Sequence, residues 1–239
     1  MADARHQLPS AVVANNFVNI AGGKVSKSST AEDSPVWIEE FLKRFDPDAL
    51  RYYLTAIAPE SARTTFSPAD FIQRNNSELV AALGNFVNRS LSFGARYFDG
   101  RVPDAANVTE RDRTHLAQGT AALEKTGALI SEHRFRAALE EMMAYARVCN
   151  EYFSEREPWR TRKEDLPDCA ATIATCVQAA QLLAVMMYPF MPGAAERLRK
   201  MLNAGDGPVR WGAPAALPAG HQLGTPEILF AKLEADAME

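Results

Sequence analysis

Two lysines three residues apart, Lys24 and Lys27, stand with Ser26, Ser28 and Ser29 directly after the pair Gly22-Gly23. Two ammonium groups on a turn, with hydroxyls between them, suit a triphosphate. The cations neutralise charge that builds on a departing pyrophosphate, and Ser or backbone donors hold its oxygens. A solvated surface turn has the same composition. The G-x-x-x-x-G-K-[ST] spacing of a P-loop is absent, so a Walker-type site is excluded.

Asn85 and Arg89 form a second group. Four residues apart on a helix they lie about 40° from one another, on a face away from Leu79, Leu83 and Phe86. An amide with donor and acceptor beside a planar fork of N–H groups can hydrogen-bond the edges of splayed bases, although a solvated polar face looks the same. The third group is Trp159. It follows Pro158 and is flanked by Arg156, Arg160, Arg162 and Lys163, a setting suited to stacking an unpaired base near its phosphates. The competing reading is a core or interface tryptophan. Trp37 reads as packing on its own helix and Trp211 as docking a tail. His6, His115, His133 and His221 are scattered, and none has a second ligand at i+3 or i+4. Cys149, Cys169 and Cys176 show no C-x-x-C spacing and fall inside apolar helical patterns, so they read as reduced core residues, and no zinc or other metal site is expected.

The elements that must hold these groups follow from hydrophobic period and caps. Val12, Val13, Phe17, Val18 and Ile20 before Gly22-Gly23 predict a strand or hairpin. Ser34-Pro35, Asp46-Pro47 and Ser67-Pro68 each put a capping residue before a proline at the first helical position, so three helices should begin there. From Pro68 to Asp99 the spacing predicts one long helix, or two broken near Asn75. A further helix is expected from Glu110 to about Ile130. Phe135, Leu139, Met142, Ala146, Cys149 and Phe153 advance by threes and fours, as do Ile173, Cys176, Ala180, Leu183 and Met187. Pro189 and Pro192 should stop one helix and start another, up to Leu202. The Gly-, Pro- and Ala-rich tail from Asn203 to Gly224 reads as surface loop, and Thr225 to Phe230 as an apolar latch. The expected class is mainly α: a small mixed α/β segment over 1–66, then an antiparallel helix bundle over 67–239.

The 239 residues are 47% apolar and 23% charged, enough to bury a core. A net charge of −4 argues against coating nucleic acid by charge, so any such contact must be local, and DNA is not expected as a partner. No signal-like run opens the chain, and no stretch reads as a membrane span, so a cytoplasmic protein away from membranes is expected.

The run Gly22-Gly23-Lys24-Val25-Ser26-Lys27-Ser28 resembles the KMSKS signature of class I aminoacyl-tRNA synthetases. Asp46 to Leu54, Pro59-Glu60, Phe71 to Leu79 and Gly84 to Arg89 are together similar to methionyl-tRNA synthetases, and the resemblance runs from about Pro9 to Leu233. Val25 departs from the signature's usual Met. Thr65, before Phe66, stands where the family usually has an acidic residue. The resemblance implies that Lys24, Ser26, Lys27 and Ser28 serve ATP, with magnesium, in methionine activation. It also implies that Asn85 and Arg89 read the anticodon, and that Trp159, after Pro158, stacks on its first base. The implied partner is tRNA(Met) with the anticodon CAU.

The Rossmann domain and HIGH motif of that family are not found before Ala11, so the chain alone is expected not to activate methionine. Three readings follow: a half that works with a catalytic half, including one supplied in trans; a standalone tRNA-binding module; or a paralogue that has lost both roles. Lys24 and Lys27 favour the first, and the trio Asn85, Arg89 and Trp159 disfavours the last. No C-terminal OB-fold extension is present, so dimerisation by that route is not expected.

Overall fold

The computed structural model describes residues 9–20, 38–205 and 207–235. The lysine loop, Trp37, His6 and the expected helix start at Ser34-Pro35 lie outside those residues.

The first part is small and held by aromatics. Strand β1 (Val18–Ile20) pairs in parallel with β2 (Thr64–Phe66), in the register Val18↔Thr64, Asn19↔Thr65, Ile20↔Phe66. Of the two alternatives, strand and hairpin, a strand forms: β1 finds its partner beyond two helices among the described residues, and Val12, Val13 and Phe17 lie exposed ahead of it. Those helices are α1 (Ile38–Arg44) and α2 (Pro47–Ala56). Phe41, Phe45, Tyr53 and Phe66 gather around Phe71, with ring centroids 5.2 to 6.5 Å from it.

Two of the expected caps are formed. The Asp46 carboxylate accepts from the Asp48 amide at 2.8 Å before α2, and the Ser67 hydroxyl accepts from the Asp70 amide at 3.3 Å before α3 (Pro68–Arg74). Helical winding then continues to Tyr97, which favours the one long helix over the pair broken near Asn75. The stretch Asn75–Gly84 is wound as a π-helix, and α4 (Asn85–Tyr97) resumes the ordinary pitch. Long π stretches are rare and concentrate at functional sites. Leu79, Leu83 and Phe86 are buried as their spacing predicts.

The bundle is completed by α5 (Glu110–Ser131), α6 (Phe135–Arg156), α7 (Pro158–Glu164), α8 (Leu166–Met187) and α9 (Pro192–Leu202). Their short connections force neighbours to run antiparallel. Thr109 and Asp112 close a reciprocal capping box at the start of α5. Helix α8 is long and apolar enough to cross a membrane, contrary to the reading that no stretch qualifies. It lies at the bundle's centre with 94% of its most apolar window buried in protein, so its hydrophobicity is consumed by α4, α5, α6, α7 and α9. Cys149, Cys169 and Cys176 are buried and free.

The two parts are stitched together. Buried Asp48 on α2 accepts from the Ala194 amide at 2.5 Å in the first turn of α9, and Arg51 donates to the Phe190 carbonyl at 2.9 Å. Burial pushes the Asp48 carboxyl above its usual range, against the lowering effect of the Ala194 amide. The tail closes as the latch reading expects. Leu229 and Phe230 are buried, Asn75 donates to the Ala231 carbonyl at 3.0 Å, and Asn76 exchanges two hydrogen bonds with the Leu233 backbone at 2.7 and 2.9 Å. Trp211 docks on α5 where Gly127 leaves room for it, and a Cβ there would overlap the indole.

Candidate nucleic-acid interface

Asn85 sits at the first turn of α4, and its exposed amide donates to Asn150 Oδ1 on α6 at 3.0 Å. One turn on, Arg89 donates to Ser154 Oγ, also on α6, at 3.3 Å. The Arg89 guanidinium lies 4.4 Å from the Phe153 ring centroid and 5.8 Å from that of Trp159. Burial lowers the pKa of Arg89 from its ordinary value. Partial burial also strips water from its donors, which strengthens what they bind. The fold thus brings Asn85, Arg89 and Trp159 to one rim between α4, α6 and α7.

Trp159 stands at that rim because of a sharp corner. Helix α6 ends at Arg156, Glu157 takes a left-handed conformation (φ 43°), and Pro158 begins α7. A non-glycine residue there is unusual and strained. Glu157 is held by Arg160, whose Nη2 is 2.9 Å from its carboxylate. Pro158 is buried, while the indole beyond it remains 46% exposed with its ring centroid 6.2 Å from that of Phe153. The indole is anchored on one side and open on the other, as a stacking platform requires. Tyr97, by contrast, is covered by Arg162 at 4.3 Å and Phe93 at 4.6 Å.

The cationic cluster around Trp159 needs correction. Arg156 is a structural residue: its side chain is 17% exposed, and it bonds the Thr172 hydroxyl at 3.1 Å and the Asp168 carboxylate at 2.5 Å. It also stands 3.6 Å from the fully buried Asp112. Burial would raise the Asp112 carboxyl, but donation from Tyr152 at 2.6 Å, donation from Thr109 and the charge of Arg156 hold it below the usual range. Arg160 is paired with Glu157 and Glu164. Arg156 therefore fixes the corner from behind.

Sequence reasoning missed Asn150 and Ser154, and took Phe153 only as part of an apolar stripe. The available signal was two polar residues four apart on a helix whose period is otherwise apolar. Among the described residues no cluster of three or more His, Cys, Asp and Glu is gathered for a metal ion.

Residues 102–239 match the anticodon binding domain of methionyl tRNA ligase, and residues 1–91 match the class I (M) tRNA synthetases. The chain belongs to the methionyl-tRNA synthetase family. It is 42% identical over its whole length to the methionine–tRNA ligase of Parabacteroides distasonis, spanning 35% of that protein. It is 41% identical over 98% of its length to that of Pyrococcus abyssi, spanning 32% of it. The Mycobacterium tuberculosis methionyl-tRNA synthetase bound by methionyl-adenylate superposes with a TM-score of 0.81 at 25% identity, covering 91% of this chain and 43% of that one. The chain thus spans about a third of the length of these curated relatives. What it carries is the end of the class I catalytic region together with the methionyl-tRNA synthetase anticodon-binding domain.

Proposed function

We propose that this chain binds tRNA(Met) by its CAU anticodon. In this reading Trp159 stacks on the first anticodon base beside Pro158, and Asn85 and Arg89 bond that base's edge. The loop Lys24–Ser28, with Lys24, Ser26, Lys27 and Ser28 as its phosphate-binding groups, completes an ATP site for methionine activation when joined to a Rossmann catalytic half, in one polypeptide or in trans. The setting is cytoplasmic.

One observation carries the reading. An indole half open to solvent stands on Phe153, in the part of the chain that matches an anticodon-binding family, beside a partly desolvated guanidinium and an exposed amide contributed by α4 from the part that matches the class I (M) synthetases. A stacked base on such a face is worth about 1 to 3 kcal/mol. The test is a titration of labelled anticodon stem-loops, CAU against loops with a changed first base, with the wild type and Trp159→Ala. The expected outcome is preference for CAU, and a loss of roughly 5- to 150-fold in Trp159→Ala by the conversion of 1.36 kcal/mol per decade, with helical circular dichroism unchanged. Equal affinity for all loops, or a Trp159→Ala protein that unfolds, would move the indole into a structural role.

A further inference from the structure

We infer that Asn150 is a positioning residue that fixes which end of the Asn85 amide faces the bound base, and thereby selects cytosine over uracil at that position. The inference rests on the anticodon-binding reading above.

The amide of Asn150 has only one workable orientation. Its Nδ2 donates to the Ala82 carbonyl at 2.5 Å and to the Ala146 carbonyl at 3.2 Å. Both partners are backbone acceptors, so turning the amide over would set oxygen against oxygen. Oδ1 of Asn150 must then face Asn85, and an oxygen there admits only the amide nitrogen of Asn85, as the 3.0 Å contact shows. Asn85 is exposed, and its Oδ1 is left without a protein partner among the described residues. The side chain therefore presents an acceptor, although asparagine as a residue type offers either group.

The neighbouring Arg89 presents only donors, one of them spent on Ser154. An acceptor beside a donor is complementary to the pairing edge of cytosine, whose N4 amine donates and whose N3 and O2 accept. Uracil carries O4 where cytosine carries N4, so it would set an oxygen against Asn85 Oδ1 and leave that acceptor unpaired. Ala82 lies in the π-wound stretch immediately before α4, so Asn150 also ties the reading amide to the backbone of the segment that leads into α4.

The test measures the affinity ratio for anticodon stem-loops beginning with C and with U at fixed salt, for the full chain and four variants. The wild type is expected to favour C by roughly 5- to 150-fold. Asn150→Ala, with Asn150→Ser as the milder change, is expected to lower that ratio to the level of Asn85→Ala while affinity for the U loop barely moves. Adding Asn85→Asp to Asn150→Ala should restore preference for C, because a carboxylate presents an acceptor whichever way it turns. A purely structural Asn150 would not be rescued by a change at residue 85. If the wild type prefers C, Asn85→Ala loses the preference and both Asn150 variants keep it, the inference is overturned. If the wild type shows no preference between any loops, the anticodon-binding reading itself fails.

Discussion

The guanidinium of Arg89 lies over the ring of Phe153, its Cζ 4.4 Å from the ring centroid, and the same ring supports Trp159 from the other helix. Phe153 is buried and sits on the stripe that packs α6 into the bundle. One aromatic side chain therefore locates both the cation and the stacking face, and the bundle core sets their spacing.

Arg89→Lys is expected to behave as a loss of function and not as a conservative change. An ammonium cannot both hold Ser154 and present a planar fork to a base, and it stacks less well on Phe153. Affinity for the CAU stem-loop should fall by about 1 to 3 kcal/mol, with thermal stability nearly unchanged. Wild-type affinity in this variant would show that charge alone serves.

Tyr152→Phe removes the hydroxyl that donates to Asp112 at 2.6 Å and leaves a buried carboxylate short of one partner. A stability loss of about 1 to 3 kcal/mol is expected in chemical denaturation. Because Asp112 also holds Arg156 at the end of α6, stem-loop affinity should fall as well, through a loosened Trp159. An unchanged denaturation midpoint would remove Asp112 from the account of the corner.

His115 is buried between Tyr145 and Tyr152, with ring centroids 5.6 and 4.2 Å away, and its Nε2 has no partner. Burial, helped by Arg111 and opposed by Asp112, pushes its pKa down to about 4. The folded state keeps the ring neutral while the unfolded chain protonates it near 6.5, so the stability contributed by neutral His115 is complete above about pH 6.5 and lost as pH falls towards 4. Between pH 7 and 5 that loss is about 2 kcal/mol. His115→Phe keeps the stacking and should flatten stability over this window, as denaturation at the two pH values will show.

Asn76→Ala removes both hydrogen bonds to the Leu233 backbone. The latch should open more often, seen as faster amide exchange over residues 229–233, with a loss of about 1 to 3 kcal/mol in global stability. Unchanged exchange would mean that Leu229 and Phe230 hold the tail by packing alone.

The sequence made some of this legible for physical reasons. Long amphipathic helices such as α6 advertise themselves, because one face must repeat every three or four residues, and the Asp46 and Ser67 caps needed only local chemistry. The partner of β1 lies on a strand more than forty residues away in sequence, and its short apolar run carries no mark of the difference between hairpin and parallel pairing. Helix α7 is a single short piece between two corners and has no room for a period. Arg156 was misread because its charge is visible in sequence while its buried partners Asp112 and Asp168 are not. Asn85, Arg89 and Trp159 were singled out by residue type and resemblance; what they touch, Asn150, Phe153 and Ser154, is visible only once α4 and α6 are side by side.

The π-wound stretch Asn75–Gly84 has a consequence for azimuth. It leads without interruption into α4, so its winding sets the rotational phase at which Asn85 and Arg89 emerge. Each residue of an ordinary helix advances the face by about 100°. Removing or inserting a single residue in this segment would keep the helix and its apolar composition yet swing the amide and the guanidinium a quarter-turn or more away from Asn150, Ser154 and Trp159. The length of these ten residues, more than their individual side chains, is what this part of the chain can least afford to vary.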